Sequence, residues 1–320
     1  MGDTTPRGTI LPNYEFDAEA ACLDLNKAMK GLGTDEETII DILTSCSNRQ
    51  RQQIKLQYKT MYGKEIEEKL HKELGGKLED IVDMLMTPIA DTYAKLVNDS
   101  VNGLGTKESL LLEVLVALNG PQLAAVKEAY KRIYENEMED DIKSDVSGDF
   151  QHFLVGLIAG GRSQDTEVDP EKAEADAQAL YDAGVGKFFG TEESEFYRIF
   201  NTRSFEQLRE TFVVYEGIAD EPIRKSVKKE FGGDLEDALV DFVTAVEYLP
   251  EYFAVKLRKS MKGAGTKDKE LIRILVCRSE FDLQDIKECY EEMYERSLRK
   301  DIKGDTSGDY EKILLRIIGE

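Results

Sequence analysis

Tryptophan is absent from this chain of 320 residues, histidine occurs twice and cysteine four times. Cys22, Cys46, Cys277 and Cys289 show no Cys-x-x-Cys spacing, so with so few histidines a zinc site is disfavoured and buried free thiols are expected. Basic residues are also short: 42 Lys and Arg against 64 Asp and Glu leave a net charge of −22. Nucleic acid is thereby disfavoured, because its phosphates need clustered cations. No stretch approaches 18 consecutive apolar residues and no basic-then-apolar leader opens the chain. Met1-Gly2 is followed by Pro6 where a myristoylation signal wants Ser or Thr. A cytoplasmic location is the expectation. Nucleophile elbow, P-loop and histidine-based pair are all missing, so no enzyme is expected, and His71 and His152 are assigned to the surface of helical segments.

What is abundant is charge: 33% of residues are Asp, Glu, Lys or Arg, and only 7 are Pro, a composition that leans to helix. The acidic excess opposes approach to an anionic membrane, by roughly 0.7 kcal/mol per nearby charge before screening. An acidic lipid surface therefore becomes a partner only through a cationic bridge.

One short string recurs four times: Lys30-Gly31-Leu32-Gly33-Thr34, Asn102-Gly103-Leu104-Gly105-Thr106, Lys187-Phe188-Phe189-Gly190-Thr191 and Lys262-Gly263-Ala264-Gly265-Thr266. The final glycines are 72, 85 and 75 residues apart, and the polar stretch 160–169 accounts for part of the longer middle interval. An acid, Glu73, Asp145, Glu230 or Asp305, follows each final glycine by 40 residues. Apolar residues at helical spacing follow each loop: Ile39, Ile42 and Leu43; Leu111, Val114 and Leu115; Phe196, Ile199 and Phe200; Leu271, Ile274 and Leu275. Each loop Thr is placed to cap the next helix, and Glu37 completes a capping box with Thr34. Pro88, Pro170 and Pro250 mark helix starts, and the glycine punctuation gives about five short helices per repeat. Tyr58, Tyr130 and Tyr290 recur at matching places and are expected in the core.

Calcium takes six to eight oxygens, and backbone carbonyls serve as well as carboxylates. A glycine loop can turn several carbonyls inward because glycine reaches positive φ without steric penalty. One distant carboxylate then completes the protein's share and leaves positions for lipid phosphate. The run Asp305-Thr306-Ser307-Gly308-Asp309 lacks the remaining ligands of an EF-hand.

The four loops and their registered acids resemble the annexin family, over nearly the whole chain from about Phe16 to Ile318. The resemblance implies an all-α fold of four five-helix repeats forming a curved disc with the loops on its convex face. It implies calcium as cofactor and acidic phospholipid membranes, of the phosphatidylserine type, as partner. It divides the chain into a tail (1–15), repeats 1 (16–86) and 2 (88–158), a linker (159–170), and repeats 3 (171–246) and 4 (250–318). By the same resemblance the metal ligands are Met29, Gly31, Gly33 and Glu73 in repeat 1, and Met261, Gly263, Gly265 and Asp305 in repeat 4. In repeat 2 they are Val101, Gly103, Gly105 and Asp145, where Val-Asn replaces Met-Lys before the glycine. In repeat 3 Phe188 replaces the first glycine, so Gly186, Phe188, Gly190 and Glu230 form a site only if that backbone turns differently.

Leu32, Leu104, Phe189 and Ala264 would stand at the loop tips, where apolar side chains suit the boundary between headgroups and acyl chains, and Lys30, Lys187 and Lys262 flank them. Asp35, Glu36, Glu192 and Glu193 follow the loop threonines; support of the helix dipole is the expected role, secondary calcium the alternative. Arg203 and Arg278 match an arginine that annexins favour, whereas repeats 1 and 2 carry Cys46 and Leu118 there. Those departures count against a polar network between repeats, and against the ion-pore role proposed for the annexin disc. The family also implies trimers or lattices on membranes, peripheral attachment when calcium rises, and an extracellular location without a signal peptide. The tail, with Thr4, Thr5 and Tyr14, offers a place for regulation or a protein partner. A calcium-independent helical scaffold for proteins is the rival reading.

Overall fold

A computed structural model describes residues 7–31, 33–103, 105–160, 162–163, 165–187, 190–263 and 265–320. Among them are 20 α-helices and no strand, five helices to each repeat. Repeat 1 holds α1 (Ala18–Ala28), α2 (Glu36–Thr44), α3 (Asn48–Tyr62), α4 (Ile66–Glu73) and α5 (Gly76–Met86). Repeat 2 holds α6 (Ile89–Val101), α7 (Glu108–Ala117), α8 (Gly120–Tyr134), α9 (Met138–Asp145) and α10 (Gly148–Ile158). Repeat 3 holds α11 (Pro170–Ala183), α12 (Glu193–Thr202), α13 (Phe205–Ala219), α14 (Ile223–Glu230) and α15 (Gly233–Glu247). Repeat 4 holds α16 (Leu249–Met261), α17 (Asp268–Arg278), α18 (Leu283–Tyr294), α19 (Leu298–Asp305) and α20 (Gly308–Ile317).

Two compact units result. One joins the chain's two ends, 1–89 and 250–320, and so pairs repeats 1 and 4; the other, 90–249, pairs repeats 2 and 3. In the first unit α2 packs on α20 and α17 on α5; in the second α10 packs on α12 and α15 on α7. The apolar positions read from the periodicity are buried except Ile42, whose place is taken by Ile40, 2% exposed. Burial of such side chains contributes about 1.5–3 kcal/mol each. In the second unit Phe200 stacks on Phe242 at 5.4 Å between centroids, and Phe153 meets Phe242 edge-on at the same distance. Tyr58, Tyr130 and Tyr290 lie in the core, and each hydroxyl finds a polar partner: Asn26, Asp141 and Asp301 respectively. All four cysteines are buried and unbridged, and burial pushes the Cys22, Cys46 and Cys289 thiols up to about 11. Such thiols stay protonated and unreactive at neutral pH.

Two expectations are corrected. The loop Thr does not cap the helix that follows it: in repeat 1 the N-cap is Asp35, whose carboxylate accepts from the Thr38 N–H at 3.1 Å. Capping boxes do occur, but at the third helix of a repeat, through Ser47 with Gln50 and Asn119 with Gln122. The second correction concerns polar links between repeats. Arg203 and Arg278 act inside their own repeats, on Asp176 and Asp282. Repeats 1 and 4 are nevertheless tied by a residue outside that pattern, the buried Arg51, whose Nη2 lies 2.6 Å from Glu280. Arg316 with Asp41 and Lys77 with Asp268 add further ties between the same two repeats.

The tail is not loose from residue 7 onward. Thr9 and Ile10 donate their N–H groups to the Ser279 carbonyl at 2.7 and 2.9 Å, and the Thr9 hydroxyl donates to the Ile317 carbonyl at 2.6 Å. Arg7 lies against Asp285 and Glu288, and Ile10 is buried. Tyr14 is fully exposed, while Thr4 and Thr5 lie outside the described residues. Between them Gly8 runs so close to repeat 4 that a Cβ would stand 2.7 Å from the Ser279 oxygen and from the Glu280 carbonyl carbon. Gly8→Ala is therefore expected to lift this strap, and trypsin should then cleave after Arg7 faster than in the parent chain. An unchanged cleavage rate would mean that the backbone yields instead.

Candidate functional site

The four acids occupy one structural position. Glu73, Asp145, Glu230 and Asp305 are each the last residue of an eight-residue helix, the fourth of its repeat. A carboxylate there sits at the negative end of the helix dipole, a local conflict worth about 0.3–1 kcal/mol when exposed. A conflict repeated four times points to a functional rather than a folding role.

Opposite each acid lies a glycine loop between the first and second helices. In repeats 1, 2 and 4 the loop is closed by one hydrogen bond, from the N–H of the residue after Thr to a carbonyl seven residues back. The pairs are Asp35 to Ala28 at 2.9 Å, Lys107 to Ser100 at 2.8 Å and Lys267 to Ser260 at 2.8 Å. Met29, Val101 and Met261 are buried at the loop entrance, which fixes the backbone there. Gly31 and Gly33 have φ of 121° and 94°, and Gly263 and Gly265 have 127° and 91°. An L-residue resists these values, so the glycines are required by this loop shape. Repeat 2 differs, since Gly105 has positive φ (85°) and Gly103 does not.

Repeat 3 is built differently. Its closing bond runs from Glu192 to the Ala183 carbonyl at 2.8 Å, across nine residues instead of seven, because α11 stops at Ala183 and a longer loop follows. The Gly184 carbonyl is occupied by the Lys187 N–H at 2.8 Å, and Gly186 packs against the Tyr181 ring with no room for a Cβ. Among the described residues no hydrogen bond reaches the carbonyls of Gly186 or Gly190, nor those of Met29, Gly31, Gly33, Val101, Gly103, Gly105, Met261, Gly263 and Gly265. Phe188 and the tips Leu32, Leu104, Phe189 and Ala264 lie outside the described residues. Lys30, Lys187 and Lys262 are exposed beside their loops.

Loop and acid are brought together by a residue that the sequence reading gave another task. The Thr34 hydroxyl donates to Glu73 at 2.9 Å, Thr106 to Asp145 at 2.6 Å, Thr191 to Glu230 at 2.6 Å and Thr266 to Asp305 at 3.4 Å. Only the fixed spacing of the acid behind the threonine could have signalled this, and spacing does not reveal a hydroxyl's direction. The groups gathered here are oxygens, main-chain carbonyls and one carboxylate, a set that would suit a hard cation such as calcium. No group of three or more His, Cys, Asp or Glu converges among the described residues.

Glu73 also opens onto a cleft of about 410 Å³ lined by Glu36, Lys77, Ser307, Asp309 and Tyr310. Across it Lys77 pairs with Asp268 at 2.6 Å and lies over the Tyr310 ring, while the Tyr310 hydroxyl donates to Asp268. Burial and that bond push the Tyr310 phenol well above its ordinary value. Repeat 1's acid-bearing turn is thus held against repeat 4's.

Comparison with known proteins agrees with this architecture. The Annexin family model matches residues 19–85, 92–157, 175–242 and 252–317, one match per repeat. The chain belongs to the annexin family. It is 45% identical to annexin A11 of Homo sapiens over 315 residues, 98% of this chain and 62% of that protein. It is 42% identical to annexin A13 of Homo sapiens over 318 residues, 99% of this chain and all of that protein. The solved structure of annexin III superposes with a TM-score of 0.95 at 40% identity, covering 99% of this chain and 98% of that one. The chain therefore spans about three-fifths of the length of one of these relatives and the whole of the other. Annexins bind calcium, and through it acidic phospholipid. No helix among the described residues of this annexin is long and apolar enough to cross a membrane.

Proposed function

We propose that this annexin docks reversibly on acidic phospholipid membranes through calcium ions held between its glycine loops and the distant acids. In repeat 1 the carbonyls of Met29, Gly31 and Gly33 with Glu73 would hold the ion; in repeat 4, those of Met261, Gly263 and Gly265 with Asp305. Val101, Gly103, Gly105 and Asp145 serve in repeat 2, and Gly186, Phe188, Gly190 and Glu230 in the longer loop of repeat 3. The observation that carries the reading is the helix-terminal carboxylate held by the loop threonine in every repeat.

Each such site supplies about one negative charge, so a bound divalent ion keeps net positive charge for a lipid phosphate. That ion is the bridge which a chain of net charge −22 needs before it can meet an anionic surface. Calcium and lipid then raise each other's affinity by the same factor, and several sites multiply the effect. Leu32, Leu104, Phe189 and Ala264 would enter the boundary between headgroups and acyl chains, with Lys30, Lys187 and Lys262 near the phosphates. A role at the cytoplasmic leaflet when calcium rises, in organising, moving or repairing membrane, follows from that reversibility.

The test is sedimentation with phosphatidylserine and with phosphatidylcholine liposomes across a calcium titration. Pelleting should need both calcium and the acidic lipid, and chelator should reverse it. Absence of pelleting at any calcium level would overturn the proposal and leave a protein-binding helical scaffold as the better account.

A further inference from the structure

We propose that the loop threonines, Thr34, Thr106, Thr191 and Thr266, are positioning residues for calcium: they do not bind the ion but hold the acid that does. This rests on the calcium reading above and goes one step inside it.

Four observations carry it. First, the contact is repeated in all four repeats, including repeat 3, whose loop is two residues longer and lacks the first glycine. A bond that survives such remodelling is tied to the acid and not to the loop's shape. Second, the acid stands at a helix C-terminus, where the dipole repels it and several side-chain rotamers are open to it. A hydroxyl proton directed at one carboxylate oxygen selects one of those rotamers. Third, the bond engages only Oε2 or Oδ2, and the other carboxylate oxygen of Glu73, Asp145, Glu230 and Asp305 has no hydrogen bond among the described residues. The acid is thereby aimed without being used up. Fourth, the same hydroxyl lies 3.5 Å from the main-chain carbonyl of Glu73, and 3.3 Å from those of Asp145, Glu230 and Asp305. It thus sits over the helix end itself and joins the two halves of the site across 39 residues of chain.

A hydroxyl has one proton to give. In repeats 1 to 3 the carboxylate is clearly the nearer acceptor, while in repeat 4 carbonyl and carboxylate are almost equidistant at 3.3 and 3.4 Å. Asp305 is accordingly the least constrained of the four acids, and Asp145 and Glu230 the most.

Two full-length variants test this, one with all four threonines changed to Val, which keeps the shape and removes the hydroxyl, and one with all four changed to Ser, which restores it. A third variant, Glu73→Gln with Asp145→Asn, Glu230→Gln and Asp305→Asn, tests the calcium sites themselves. The readouts are the half-maximal calcium for pelleting on phosphatidylserine liposomes, the plateau at saturating calcium, and the melting temperature in chelator. The Val variant should need about tenfold more calcium, the scale of one lost hydrogen bond to a charged group, with plateau and melting temperature unchanged. The Ser variant should return close to the parent.

An unshifted Val variant beside a shifted acid variant would overturn the positioning role and leave the calcium sites standing. An unshifted acid variant would overturn the sites and the positioning role together. A Val variant that loses melting temperature and plateau, or a Ser variant as impaired as Val, would show a purely structural threonine. Should the fourfold Val chain fail to fold, Thr106→Val alone, made at one of the two shortest bonds, should raise the calcium requirement, and an unchanged requirement there would equally overturn the role.

Discussion

Neutralising Glu73 and Asp305 together, by Glu73→Gln and Asp305→Asn, is expected to raise the calcium needed for liposome binding by at least about tenfold, an amount that corresponds to about 1.4 kcal/mol. Both acids belong to the unit that joins repeats 1 and 4, and their turns are neighbours across the cleft crossed by Lys77 and Tyr310. Both glycines have positive φ in each of these two loops, unlike in repeat 2. If two like sites act on one membrane patch, losing either one removes the avidity between them, and losing both also removes this unit's remaining site. Glu73→Gln alone should therefore cost less than the pair. Gln and Asn keep the side-chain shape and remove a charge from a helix C-terminus, so the melting temperature in chelator should stay level or rise slightly. That sign separates the effect from misfolding. A double variant with the calcium requirement of the parent would place binding elsewhere.

The same helix-end conflict explains how much of the site was legible in the sequence. A 40-residue register between glycine and acid is a linear quantity, and it places the acids on matching turns before any fold is known. Helix starts at Pro88, Pro170 and Pro250 were likewise readable, because proline's missing N–H restricts where it can stand. The hydroxyl's direction was not. Thr34 has two uses open to it, capping α2 or reaching Glu73, and Asp35 takes the cap because its carboxylate is one residue nearer the helix and reaches the Thr38 N–H. The loop of repeat 3 was hidden for a related reason: counting back from Gly190 places Gly186 where Met29 stands, whereas counting forward from the closing carbonyl places Gly184 there. Only the closing hydrogen bond reveals the two extra residues. The apolar loop tips were read from sequence and lie outside the described residues.

Arg51 was the least legible residue of all, since its charge predicts a solvated helix face and the chain buries it. Arg51→Ala is expected to destabilise the unit of repeats 1 and 4 by about 3–5 kcal/mol, the scale for removing one partner of a buried ion pair. The guanidinium does three jobs at once. Its Nη1 donates to the carbonyls of Leu43 and Cys46 at 2.9 and 2.5 Å, at the end of α2, where carbonyls have no partner within the helix. Its Nε donates to the Leu85 carbonyl at 2.8 Å, near the end of α5. Its Nη2 reaches Glu280 at 2.6 Å, and Glu280 also accepts the Asn48 N–H at the start of α3. Burial lowers the Arg51 pKa, and Glu280 opposes that effect, so the pair is retained as a pair. Alanine would leave the Leu43 and Cys46 carbonyls without this donor, leave the Leu85 carbonyl and Glu280 with only their bonds from Asn48, and open a cavity beside them. Glu280→Gln should cost less, because Gln still offers an oxygen to Arg51 and its position is partly exposed. Thermal unfolding in chelator should order the three chains as parent, Glu280→Gln and Arg51→Ala, with the last lower by roughly 10 °C for a unit of this size. A loss below about 1 kcal/mol would mean that water replaces the guanidinium at all three helix ends, and that the tie between repeats 1 and 4 rests on apolar packing alone.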